Sequence, residues 1–276
     1  MEYPPVKPPP EGWRRFRLDL SFHGQPFSGW QKQQGQASVQ GELESALKKL
    51  YGQSIEVIGA GRTDAGVHAL QQVAHADLPI GEKGPKTHEL KKALNATTIE
   101  MLTILSTMEC EPTFHARFNP HIKTYAYHID LNQHPMPMLL DRAYHTRYKV
   151  EDIEIMETFL QMIVGTHDFG SFCSAHNSTP TTIRTLVGAE LKNVGLNHWI
   201  MRVKGKGFLQ HMVRILAGTM ISLGGGELKL DFIAKVLKEG QGFREQLGNT
   251  LPAKGLWLES TEYIAKEVWK SSQEDE

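Results

Sequence analysis

Residues 59–68, Gly59-Ala60-Gly61-Arg62-Thr63-Asp64-Ala65-Gly66-Val67-His68, set one carboxylate, Asp64, beside a cation and among small residues. Glycines at 59, 61 and 66 let the backbone turn left-handed and let another molecule approach closely. A carboxylate flanked by a cation suits a nucleophile or a base rather than a proton donor. By residue type alone the run also reads as a tight surface turn, because Gly and Asp are turn formers. Nucleotide loops are excluded position by position. Gly61 to Gly66 has the Walker spacing, but Val67 and His68 stand where Lys and Ser or Thr are required. Asp64 occupies the place of the third glycine of a dinucleotide fingerprint.

Other chemistries find weaker support. The chain has thirteen histidines, yet His115, His121 and His128 lack the spacing of one helical face and no Cys-x-x-Cys occurs, so no metal is expected. Glycoside hydrolysis would need a second acid beside Asp64, and Asp168 is the candidate. Net charge is −1, so the chain as a whole carries no nucleic-acid signal. The distribution says more. Residues 191–226 contain no acid but hold Lys192, Arg202, Lys204, Lys206 and Arg214, and residues 112–129 are likewise acid-free with Arg117 and Lys123. A single charge run is usually a solvated face, but two such stretches favour a basic surface that meets phosphates.

These groups need elements to position them. Phe16, Leu18, Leu20 and Phe22 alternate as in a half-buried strand over 15–22. Ser38 caps a helix with the stripe Val39, Leu43, Ala46, Leu47 and Leu50, which Gly52 stops. Strands follow at 55–58 and 70–78, with the Asp64 loop between them. Thr87 caps a short helix to Leu94, and 99–108 is a further strand. That order is β-α-β-β-α-β, the split βαβ or ferredoxin-like unit. The second half repeats it: a strand over 122–131 carries Tyr125, Tyr127 and Ile129 on one face, and Asp152 caps a helix. Strands follow at 183–191 and 199–203. A helix runs from Leu209 to a stop at Gly224, another starts at Asp231, and a strand closes at 256–263.

The expected fold class is therefore α+β: two ferredoxin-like halves with antiparallel or mixed sheets and a central cleft, which the two basic stretches suit to RNA binding. The expected divisions are a flexible proline-rich lead-in at 1–12, an N-terminal α+β domain at 13–112 carrying the Asp64 loop, a C-terminal α+β domain at 113–266, and an acidic tail at 267–276. No run of about 18 apolar residues occurs, so no membrane partner is expected. The first residues carry no signal region. Two cysteines, Cys110 and Cys173, are too few for a disulfide framework. A cytoplasmic location is expected.

The decamer closely resembles the signature of the tRNA pseudouridine synthase A family, and further blocks are similar to that family in the same order. They are Gly24 with Phe27-Ser28-Gly29-Trp30-Gln31, Ser38-Val39-Gln40 with Leu43-Glu44, Phe114-His115-Ala116-Arg117-Phe118 with Tyr125-Ala126-Tyr127, Gly165-Thr166-His167-Asp168-Phe169, Met212-Val213-Arg214, and Pro252-Ala253-Lys254-Gly255-Leu256. The resemblance covers residues from about 16 to about 263.

It implies isomerisation of uridine to pseudouridine at positions 38, 39 and 40 of the tRNA anticodon stem-loop, by a homodimer and without a cofactor. It assigns the catalytic carboxylate to Asp64 and the arginine that pairs with it to Arg214. Arg62 is similar to the arginine that assists base extrusion, Tyr125 to the tyrosine that packs on the target base, and Leu256 to an apolar wall of the pocket. Asp168 falls in a block whose Asp is not the nucleophile. Lys204 and Lys206 belong to the basic stretch expected to meet RNA. Taken singly, each has an ordinary role: a helix cation at Arg214, core packing at Tyr125 and Leu256. The chain departs from the family at Phe22-His23, where Tyr-Asp is usual, and at Leu251, where Ala is usual; local loop contacts are what these changes put in question. A non-catalytic RNA-binding module is the competing class, and intact Asp64, Arg62, Tyr125 and Arg214 argue against it.

Overall fold

Alternation builds the first strand, β1 (Trp13–Phe22): Phe16, Leu18, Leu20 and Phe22 are all buried. The computed structural model describes residues 5–81, 84–146, 149–174 and 179–264. The acidic tail expected at 267–276 and the first four residues of the lead-in lie outside the described residues. The chain divides into two compact units, one running to His121 and resuming at Leu258, the other spanning Ile122–Trp257.

In the first unit, α1 (Val39–Tyr51) runs between two caps. The Ser38 hydroxyl accepts from the Gly41 N–H, and Gly52, left-handed at φ 74°, donates its N–H to the Lys48 carbonyl. Such an N-cap contributes about 1 kcal/mol. Its stripe Val39, Leu43, Ala46 and Leu47 is buried. Next come β2 (Val57–Gly59), β3 (His68–Pro79), a 3-10 turn (Thr87–Glu89), α2 (Leu90–Thr97) and β4 (Leu102–Glu109). The expected β-α-β-β-α-β order is present, with shifted starts. Thr87 does not cap α2 but opens the 3-10 turn that leads into it, and Glu89 stands at the helix's N-cap position without a side-chain cap bond. β1 lies between β4 and β3, antiparallel to both, and β3 also pairs with β2 and with the late strand β10 (Leu256–Tyr263).

Arg15 fastens this sheet to its flanking segments. It is buried, and its guanidinium donates to both Asp77 carboxylate oxygens, at 2.7 and 2.9 Å, and to the carbonyls of Pro112, Phe114 and Lys7. Residues of the proline-rich lead-in are tied down at Lys7 and again where Trp13 donates to the Pro10 carbonyl.

The second unit contains β5 (His121–Asp130), β6 (Tyr144–His145), α3 (Ile153–Met162), β7 (Gly165–Asp168), β8 (Ile183–Asn193), β9 (His198–Gly205), α4 (Met212–Gly224) and α5 (Leu230–Glu239). Asp152 caps α3 as expected, accepting from the Ile155 N–H at 2.9 Å. The strand order is β5-β9-β8-β7, antiparallel throughout, with β6 parallel to β5. α3 packs on α4, α5 and β8. β6 and β7 are additions to the expected order; both are too short to show a period in sequence. No helix among the described residues is long and apolar enough to cross a membrane.

His75, on β3, gives the first unit a pH-dependent stability. It is 2% exposed, and its Nδ1 accepts from the Ala116 N–H at 3.1 Å. Burial, aided by the nearby His115 and Arg15 charges, pushes its pKa down from 6.5 to about 3. Below pH 6.5 the unfolded chain therefore binds more protons than the folded one. The stability from neutral burial is complete above about 6.5 and is lost progressively toward about 3, at no more than about 1.4 kcal/mol per pH unit. His75→Gln keeps an acceptor for the Ala116 N–H and removes this titration. Urea unfolding across that window is expected to show a shallower acid slope for the variant, by about one proton.

Candidate active site

Asp64 lies on the loop that joins β2 to β3, and neighbouring residues along it alternate in exposure. Arg62 is exposed, Thr63 is buried and Asp64 is half-exposed. The loop is held by segment 24–30. Trp30 donates its N–H to the Thr63 carbonyl at 3.0 Å, and Gly66 donates to the Phe27 carbonyl at 3.4 Å. From the strand side, Gln72 donates its side-chain amide to the Gly61 carbonyl at 3.0 Å. Two glycines make this closeness possible. Gly29 adopts φ +100°, and a Cβ there would stand 2.6 Å from the Thr63 carbonyl oxygen; a Cβ on Gly24 would overlap the Val67 carbonyl. At the loop's end, buried His68 accepts the Gly24 N–H on Nδ1 at 3.1 Å. The ring of His23, the departure from the family pattern, lies edge-on to His68 with centroids 4.4 Å apart.

The other candidates belong to the second unit. Tyr125 and Tyr127 share a face of β5, facing Val203 and Met201 of β9 in register. The structure gives them different surroundings. Tyr125 is 8% exposed and meets the ring of Phe208 edge-on at 5.0 Å, whereas Tyr127 is fully buried and its hydroxyl donates to the Pro252 carbonyl at 2.8 Å. Burial raises the Tyr127 phenol well above its ordinary pKa, and the Arg214 charge opposes that rise.

Arg214 is in the first turn of α4, a helix in which every residue except Arg214 and Ser222 is buried. Its Nε donates to the Leu251 carbonyl at 2.6 Å, and the Leu251 N–H answers to the Arg214 carbonyl at 3.4 Å. The departure at Leu251 therefore leaves this contact intact, since the main chain makes it. Leu256 opens β10 and is 6% exposed. Lys204, on β9 opposite Thr124, and Lys206, just past that strand, are half-buried. Arg62 and Asp64 thus share one loop, Arg214 and Tyr127 share the 251–255 segment, and the two sets lie in different units. Roles for Phe208, the Tyr127 hydroxyl and the Leu251 carbonyl were not legible in the sequence, because each acts through a tertiary neighbour. Among the described residues no group of three or more His, Cys, Asp or Glu is arranged to hold a metal.

The family model for tRNA pseudouridine synthase matches residues 20–119 and 159–263. The chain belongs to the tRNA pseudouridine synthase family. It is an isomerase of tRNA uridine. The tRNA pseudouridine synthase A of Brevibacillus brevis is 38% identical over 247 residues, covering 89% of this chain and 98% of the relative. That of Acetivibrio thermocellus is 36% identical over 252 residues, covering 91% of this chain and all of the relative. A solved Cbf5-Nop10-Gar1 complex aligns at a TM-score of 0.38 and 12% identity, covering 76% of this chain and 44% of that one, too distant a likeness to bear on function. The matched segments include Arg62, Asp64, Lys204, Lys206, Arg214 and Leu256; Tyr125 falls between them.

Proposed function

We propose that this enzyme isomerises uridines at positions 38, 39 and 40 of the tRNA anticodon stem-loop, with Asp64 as the reacting carboxylate. The observation that carries the reading is a half-exposed carboxylate on a loop whose main chain is pinned on both sides. Pinning of this kind holds a reacting group in place before substrate arrives. The reaction breaks the bond from C1′ to N1, turns the uracil and joins C1′ to C5; C5 loses a proton and N1 gains one. No electrons enter or leave, so the balance needs no redox partner. Asp64 acts at the sugar, either by attacking C1′ or by removing the 2′ proton.

In this proposal Arg214 pairs with Asp64, Arg62 fills the space left by the extruded base, and Leu256 walls the pocket. Tyr125 packs on the base, a contact of about 1–3 kcal/mol. Flipping a base out of a stem costs a few kcal/mol, which the filled gap and the stacking partner offset. Lys204 and Lys206 meet phosphates. A homodimer in the cytoplasm completes the reading, supported by the family resemblance; symmetric dimers are also the commonest oligomers.

Asp64→Asn is the direct test. Pseudouridine formation on unmodified tRNA is expected to fall by at least about a thousandfold, with tRNA affinity little changed, or slightly raised as repulsion of phosphate is lessened. Turnover within about tenfold of the parent enzyme overturns the assignment.

Charge reversal at Lys204 and Lys206 is expected to weaken binding of all tRNAs alike and to reduce the salt slope by about one unit for each lost phosphate contact. An unchanged slope removes that stretch from the RNA interface.

Sedimentation of the free enzyme at micromolar concentration is expected to give twice the 31.0 kDa chain mass. A fully active monomer at that concentration rejects the dimer.

A further inference from the structure

Thr63 is the residue beside Asp64 that points inward, and its two polar ends fare differently. Its carbonyl accepts from the Trp30 N–H at 3.0 Å. Its hydroxyl oxygen is buried, in a residue 7% exposed, and has no hydrogen-bond partner among the described residues. The main chain around it is satisfied: Gly61 accepts from Gln72, Gly66 donates to Phe27, and the Asp64 carbonyl accepts from Val67. The hydroxyl is thus the exception in a loop that is otherwise well bonded.

Buried polar groups without a partner are rare in native folds, and each destabilises the state in which it is unpaired. Valine has the same shape and would fill the same space without that cost. A threonine here makes the free loop less stable than it need be. Such local conflict is expected where function, not folding, uses the group.

We propose that the Thr63 hydroxyl is a positioning group for Asp64, taking its hydrogen-bond partner only once RNA is loaded. It then fixes the loop with the carboxylate aimed at the sugar. The inference rests on the reading of Asp64 as the reacting carboxylate. The main chain here is already pinned, so what is left for the hydroxyl is a small adjustment. Arg62 and Asp64, on either side of Thr63, reach solvent, so a shift at Thr63 moves the two groups that meet substrate.

The test compares Thr63→Val, Thr63→Ser and Asp64→Asn in the full chain, reading thermal midpoint, affinity for unmodified tRNA, and single-turnover rate at saturating tRNA. Thr63→Val is expected to melt at the parent temperature or above it and to bind tRNA within about twofold, while its rate falls by about tenfold or more. Thr63→Ser, which restores the hydroxyl, is expected to recover most of that rate. Three results overturn the proposal: a Thr63→Val rate within about threefold of the parent, a clear drop in its melting temperature, or equal losses in Thr63→Val and Thr63→Ser. The second would mean that the hydroxyl is already bonded in the free protein, and the third that the site needs the packing of the side chain. Failure of the functional reading itself looks different, since Asp64→Asn would then remain active.

Discussion

The candidate site depends on main chain packed against main chain. Segment 24–30 approaches the Asp64 loop so closely that Gly24 and Gly29 leave no room for a side chain. The two backbones are also joined by hydrogen bonds from Trp30 and Gly66. A side chain can rotate away from a crowded contact, but a carbonyl fixed in a peptide plane cannot. The main chain at Asp64 is therefore positioned by the neighbouring segment packed against it. That neighbouring segment is in turn held by the first turn of α1: Val39 and Gln40 donate their main-chain N–H groups to the Gly29 and Trp30 carbonyls, and the Gln40 side chain accepts the Lys32 N–H.

In the second unit a comparable constraint acts on Arg214. The helix that carries it is buried almost all round, so rotation about the helix axis is opposed by core packing. The Nε bond to the Leu251 carbonyl sets the guanidinium plane, and the reciprocal bond from Leu251 holds the 251–255 segment to the same turn. Tyr127 ties the same segment through its hydroxyl bond to the Pro252 carbonyl. Arginine is suited to this double task because its planar fork offers several donors at once, whereas a lysine bonded to the carbonyl would offer a single nitrogen.

Much of this was legible in the sequence, and the limits are physical. Alternation at Phe16–Phe22, the Ser38 and Asp152 caps and the Gly52 stop are local signals, and each appears where expected. Asp64 stood out because its motif is contiguous. The need for glycine at 24 and 29 comes from a segment more than thirty residues away, so nothing beside those glycines announces it. Tyr125 and Tyr127 look equivalent by period, and only tertiary packing separates a ring that meets Phe208 and keeps slight exposure from one that is fully buried. β7, four residues long, offers too little periodicity to register. Thr63 was plain in the motif, but burial of its hydroxyl follows from what packs over the loop.

β3 carries the far end of the Asp64 loop, and it takes one of its neighbours, β10, from the stretch where the chain leaves the second unit and returns to the first. A ribosome reading this message exposes β1, β3 and β4 long before β10 exists. For that interval the emerging sheet has a hydrophobic strand with an unfilled pairing edge, the kind of surface that recruits strands from other nascent chains. Completion of the first unit is therefore coupled to synthesis of the second. Translation that stops anywhere in residues 122–257 yields a chain with its reactive loop already made and its sheet unfinished. Such truncated products are natural clients for chaperones and proteases.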